Sequence, residues 1–200
     1  MSVSQTVGVS QASQTGAELG ALLEELGAVT GDARKVFGGL SAAQLNWKPS
    51  AERWSVGQCF DHLITTNRTF FADLERVAAG KHRASLWGRV SPLSGLFGRF
   101  ILKALDPEKG RRTKAPRVFE PARSDVAADV IEKFASHQEA LAARMRATRG
   151  ADLRGLKVTS PVSAVATYSL LDAYRIVVAH ERKHFEQARR VTQAEGFPAA

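Results

Sequence analysis

Cysteine is nearly missing. Cys59 stands alone, and a single thiol rules out a disulfide within the chain. No eighteen apolar residues run together, so no membrane-spanning helix is expected. Met1 to Thr15 is rich in Ser, Gln and Val, and lacks both the basic start and the continuous apolar run of a secretory signal. A disordered polar tail over residues 1–16 and a cytoplasmic location are the expectations. Apolar–polar alternation with a period of two is not evident, which argues against a sheet protein. Helix-turn-helix, zinc-finger and RNA-recognition patterns are lacking as well. No internal repeat occurs, and no low-complexity tract beyond the polar start.

What the chain does have is length, positive charge and helical periodicity. Two hundred residues suffice for one domain with a sizeable core, taken as residues 17–200. The formal net charge of +8 admits acidic partners. Part of the excess is concentrated in Arg99, Lys103, Lys109, Arg111, Arg112, Lys114 and Arg117, against only Asp106 and Glu108. With no recognition motif beside it, this basic 99–117 segment reads as a solvated loop. No specific nucleic-acid partner and no membrane insertion are expected.

Four segments carry apolar residues at spacings of three and four, the signature of an amphipathic helix. The first runs from Glu18 to about Leu40, through Leu19, Leu22, Leu26, Val29 and Phe37. The second starts at Ser55, a good N-cap, and fades near Gly80. The third follows Ser124 and ends at Gly150, with His137 on its inner face. Residues 151–166 read as loop. The fourth runs from about Thr167 to Ala194, where Gly196 and Pro198 stop it. Between the second and third, Leu93 to Leu105 forms a short amphipathic piece suited to capping a bundle or lying on a membrane surface. Four long helices with one long crossover between helices two and three define an all-α four-helix bundle. Trp47 and Trp54 are expected to pack over its end, and Trp87 to anchor the crossover.

The chemistry concentrates in the fourth helix, at His180-Glu181-Arg182-Lys183-His184. Residues four apart on a helix lie about 6 Å apart along the axis and close together around it, so both imidazoles can reach one metal ion. Both fall on the apolar stripe through Tyr174, Val177, Ala188 and Val191. Two inward imidazoles need partners for their nitrogens. A metal supplies that, and so do water or carbonyl groups. The same five residues satisfy the H-E-x-x-H pattern of zinc peptidases. The longer peptidase pattern fails, because Gln187 stands where glycine is needed and Arg190 where a third histidine is needed. A third ligand must then come from upstream, and His62 in the second helix is the best candidate.

Three elements together carry a resemblance: Trp47-Lys48-Pro49, then Trp54-Ser55 leading to His62-Leu63, then His180-x-x-x-His184-x-x-Gln187. In kind, order and separation they resemble the DinB/YfiT-like superfamily of metalloenzymes, over about Leu19 to Pro198. The resemblance implies an up-down-down-up four-helix bundle, often dimeric. It also implies one divalent metal, zinc or nickel, held by His62, His180 and His184. Many members carry glutamate where Gln58 stands, which points to a supporting position rather than to a ligand.

Three neutral imidazoles leave a divalent ion its full charge and an open position, which suits acidifying a water to a pKa of about 7. Hydrolysis of a small-molecule substrate follows as the first expectation, with Glu181 as base or supporting group and Asp61 and Glu186 as further carboxylates nearby. Transfer to or from a small thiol is the alternative, because thiolates also suit zinc. A non-enzymatic metal-binding stress-response module is the third reading. Cys59, on the apolar side of the second helix, is expected to be plain core.

Overall fold

The computed structural model describes residues 3–83, 94–105, 121, 125–161 and 163–199. It is mostly helical, with one two-stranded sheet. The helices are α1 (Val3–Phe37), α2 (Ala42–Asn46), α3 (Val56–Arg68), α4 (Phe71–Ala78), α5 (Ser94–Leu105), α6 (Val130–Ala147) and α7 (Leu170–Thr192). Strands β1 (Lys157–Ser160) and β2 (Ser163–Ser169) pair antiparallel between α6 and α7.

Four of the expected boundaries move. α1 reaches back to Val3 through the segment expected as a disordered tail. No proline or glycine pair interrupts the ladder there, and the i→i−4 bonds of the downstream helix simply propagate. The second helix is two pieces. Thr69 and Phe70 bond to Thr66 and Asn67 in a tighter i→i−3 turn, and the Thr69 hydroxyl donates to the Thr66 carbonyl at 2.6 Å. Asn67 and Thr69 are weak helix formers, so the break falls there. The third helix starts at Val130; Ser124, its expected cap, lies outside the described residues, as do Trp87 and most of the basic 99–117 segment.

The fourth change corrects the expectation that residues 151–166 are loop; the chain stays mostly helical, with one small hairpin added. Lys157 pairs with Ser169, Val158 with Tyr168 and Thr159 with Thr167, and a bulge follows before Ser160 meets Ser163. Burial alternates along β1, with Val158 and Ser160 inward. A four-residue strand shows too few periods of alternation to stand out, and Ser and Thr replace the usual apolar positions. Helix α7 therefore begins at Leu170, where the Ser169 side chain accepts from the Asp172 backbone N–H.

α1 packs on α6 and α7, and α3 packs on the same two helices. α4 continues against α6, while α5 lies across α7 and β2. Ile101, Leu102 and Leu105 of α5 face the core, so this piece does cap the helices; Phe100 stays outside at 71% exposure. The apolar interior divides into two clusters. One holds Leu19, Leu26, Leu74, Met145, Val158, Tyr168 and Tyr174 near the hairpin. The other holds Phe37, Val56, Cys59, Phe60, Phe134, Ala188 and Val191. Along α6 and α7 the residues between the two clusters are polar: His137 and Gln138, then His180, Glu181 and His184; on α3 the buried polar residues are Asn67, between the clusters, and His62, beside Leu63 and Ile64 of the second. The candidate site lies in that seam.

Candidate metal centre

Helix α3 places the first histidine. Ser55 and Gln58 form a reciprocal cap: the Ser55 hydroxyl accepts from the Gln58 N–H at 3.1 Å, and the Gln58 side chain accepts from the Ser55 N–H at 3.1 Å. Gln58 is thus a helix-start residue, and the pair satisfies two donors that the first turn leaves open. Two turns on, His62 points inward and is only 3% exposed. Cys59 on the same helix is fully buried, and burial pushes its thiol far above the ordinary range, consistent with plain core.

Helix α7 brings the other two. His62 Nε2 lies 3.2 Å from His180 Nε2. The three rings meet edge to face, with centroids 5.0 Å (His62–His180), 4.6 Å (His62–His184) and 4.6 Å (His180–His184) apart. One ligand nitrogen from each falls within 4.8 Å of the others. In a tetrahedral centre with metal–nitrogen bonds of about 2.05 Å, neighbouring nitrogens stand roughly 3.3 Å apart. The His62–His180 separation fits that value. His184 Nδ1 is buried with no protein partner, a cost that a ligand or ion removes.

The electrostatics favour neutral rings. Burial drives His180 down to about 3, helped by His62 and Lys183. Burial likewise holds His184 well below the ordinary value, with His180, His62 and Lys183 adding to it and a hydrogen bond to Gln187 opposing. Neutral imidazole is the form that ligates. Lys183, itself lowered by burial, donates to the Ala104 carbonyl at 3.1 Å and so ties the C-terminus of α5 to α7 beside the histidines.

Trp54 walls the site. Its ring stacks on His184 at 5.5 Å and 18°, and leans on His62 at 4.8 Å. Trp54 thus packs on the second apolar cluster, as expected, and in addition touches the triad, a contact its place one residue before the α3 cap allows. Trp47 does pack at the end of the helices, edge-on to Phe197 at 5.6 Å.

Glu181 takes a different place from that of a free base. It is fully buried, and its two oxygens accept from the Asn67 amide at 2.7 Å and the Gln138 amide at 2.6 Å. Burial raises it to about 8 against the pull of both amides. Asn67 and Gln138 were not singled out by sequence, since an amide on an apolar stripe carries no signature of its own.

His137 is inward as expected but stands outside the triad, stacked on Phe71 at 5.0 Å and 5°. Burial, with Arg68 and Arg144 nearby, lowers it to about 4. The folded protein therefore takes up this proton less readily than the unfolded chain. Stability tied to His137 is whole above pH about 6.5 and is lost as the pH falls toward 4. At about 1.4 kcal/mol per unit the loss is on the order of 3 kcal/mol. Urea unfolding of His137→Leu and the parent between pH 7 and 4 is expected to show a shallower acid decline in the variant. Equal declines would remove His137 as a cause.

A mostly helical protein whose buried histidine triad bridges two helices and could hold a metal ion belongs to the helical metal-binding class. The chain matches the family described as the DinB superfamily over residues 16–188, and it belongs to that superfamily. No curated protein and no solved structure matches it. Among the described residues no helix is long and apolar enough to cross a membrane.

Proposed function

We propose that this protein is a divalent-metal-dependent hydrolase of small molecules, with zinc or nickel held by His62, His180 and His184. The observation that carries the reading is the convergence of three nitrogens from α3 and α7 within 4.8 Å. α1, α3 with α4, α6 and α7 act as an up-down-down-up bundle. The order in which they visit the two apolar clusters supports this: α1 and α7 run from the hairpin cluster to the other, while α3 with α4, and α6, run the reverse. A homodimer in the cytoplasm is the working assembly.

A divalent ion supplies Lewis-acid chemistry, acidifying a water and polarising a substrate oxygen. The chain's own part is positional. Neutral His62, His180 and His184 add no charge to offset that of the ion. Trp54 fixes the planes of His184 and His62 and gives an apolar face on which a small substrate can lie. Lys183 holds α5 beside the site.

The second reading is transfer to or from a small thiol. It is favoured by Glu181, whose two oxygens are already engaged by Asn67 and Gln138. A thiol needs no carboxylate base once its pKa is lowered. One preparation tests both: protein purified without added metal or affinity tag, metal analysis, then a hydrolase screen run with and without small thiols. One ion per chain and hydrolysis lost on chelation are expected, along with loss in His62→Ala. Turnover only with thiol would select the second reading, and full activity without metal would end both.

A further inference from the structure

A second concavity lies away from the histidines, where α4 ends against β1. Asp73 of α4 stands eleven positions beyond His62, past the break between α3 and α4. Gly80, at φ +66, reverses the chain here: Gly80 N–H donates to the Val77 carbonyl and Lys81 N–H to the Arg76 carbonyl. These bonds close the last carbonyls of α4 and blunt the negative end of its dipole. The turn lays His82 and Arg83 back on β1, and His82 Nε2 hydrogen-bonds the Lys157 carbonyl at 2.9 Å.

The result is a cavity of about 330 Å³ lined by Asp73, Arg76, His82, Arg83, Lys157 and Thr159. Its three permanent cations face a single carboxylate, Asp73, which is already paired with Arg76. Three positive charges less one negative leave a surplus of two. Among the described residues neither Arg83 nor Lys157 enters an ion pair. His82 Nδ1 is enclosed and has no partner among the described residues. Lys157 and Thr159 are half-buried on a paired strand, so they are held in place rather than free in solvent.

We propose that this pocket binds a phosphate group, either free phosphate or the phosphate of a small monoester. The surplus of two charges matches a phosphate dianion better than a monoanionic carboxylate. Guanidinium groups present paired N–H donors to phosphate oxygens, and the Thr159 hydroxyl adds a donor. The volume accommodates one such group with a small substituent. The pocket shares no residue with the histidine centre, so its fate is independent of the hydrolase reading.

Isothermal titration of the full chain with inorganic phosphate, methyl phosphate and acetate, at constant ionic strength in chloride, tests this. Saturable one-to-one binding of phosphate is expected, with acetate at least about 10-fold weaker. Methyl phosphate binding as well as phosphate would assign the pocket to esters also; its failure would restrict the ligand to free phosphate. Arg83→Gln and Lys157→Gln are each expected to weaken phosphate about 10-fold or more, the worth of one charge-assisted hydrogen bond. Arg83 is exposed at a chain turn, so its variant keeps the test alive if Lys157→Gln folds poorly. Unchanged metal content and melting temperature in Arg83→Gln would show the rest of the molecule intact. No saturable binding, equal binding of acetate, or binding unaltered in both variants would overturn the proposal.

Discussion

Replacing His180 with alanine is expected to weaken zinc or nickel binding by more than about 100-fold and to abolish metal-dependent stabilisation. Loss of a group that merely supports a ligand costs about 10- to 100-fold, and a ligand itself costs more. The parent, saturated to 100 times its dissociation constant, gains about 2.7 kcal/mol from binding. In a chain of this length that is roughly 5–10 °C in melting temperature. Chelation should take that increment from the parent and nothing from the variant. His180 is the best of the three to remove. It is half-buried, whereas His184 stacks on Trp54 and His62 sits deeper. A plain hydrogen-bonded triad makes the opposite forecast: the 3.2 Å His62–His180 contact would then count equally with or without chelator. Thermal melts of both proteins with and without a chelator decide between them.

The same contrast explains how much of the centre was legible in the sequence. The spacing of His180 and His184, with the stripe through Tyr174, Val177, Ala188 and Val191, required both rings to face inward, and both do. Ser55 announced the start of α3, and that cap sets the phase that turns His62 inward. These are local signals, written in periods of three and four. What escaped was either short or non-local. The hairpin at 157–169 has only a few residues per strand, and its pairing is a tertiary fact. Trp54 reaches His184 across 130 positions of sequence, and no pattern within α3 states that. Gln138 was invisible for a related reason: it sits on an otherwise apolar face, and only the arrival of Glu181 from α7 gives it a partner. The break at Thr69 was hidden because Phe70, Phe71 and Leu74 keep the helical spacing through it.

Glu181 carries the second large effect, and the outcome separates a packing role from a chemical one. Alanine at this position removes the acceptor for two amide donors, Asn67 at 2.7 Å and Gln138 at 2.6 Å, in a site with no solvent access. Each buried donor left without a partner costs about 1–3 kcal/mol, so Glu181→Ala is expected to lose roughly 3 kcal/mol or more in urea unfolding. Glutamine should lose far less. Asn67 Oδ1 and Gln138 Oε1 are buried without partners, so either amide can turn over and offer its oxygen to the new amide nitrogen, while its neighbour still donates to the new carbonyl. Two bonds survive in that arrangement. The hydrolytic rate is then the discriminating measurement. A residue whose task is to join α3, α6 and α7 across the polar seam predicts that Glu181→Gln keeps both its metal and most of its turnover. A general base predicts a folded, metal-loaded variant whose rate falls 100-fold or more, since proton transfer by a positioned side chain is worth about that much. The two engaged oxygens favour the first outcome. A collapse in rate at full metal content would reverse that assignment and return Glu181 to the chemistry.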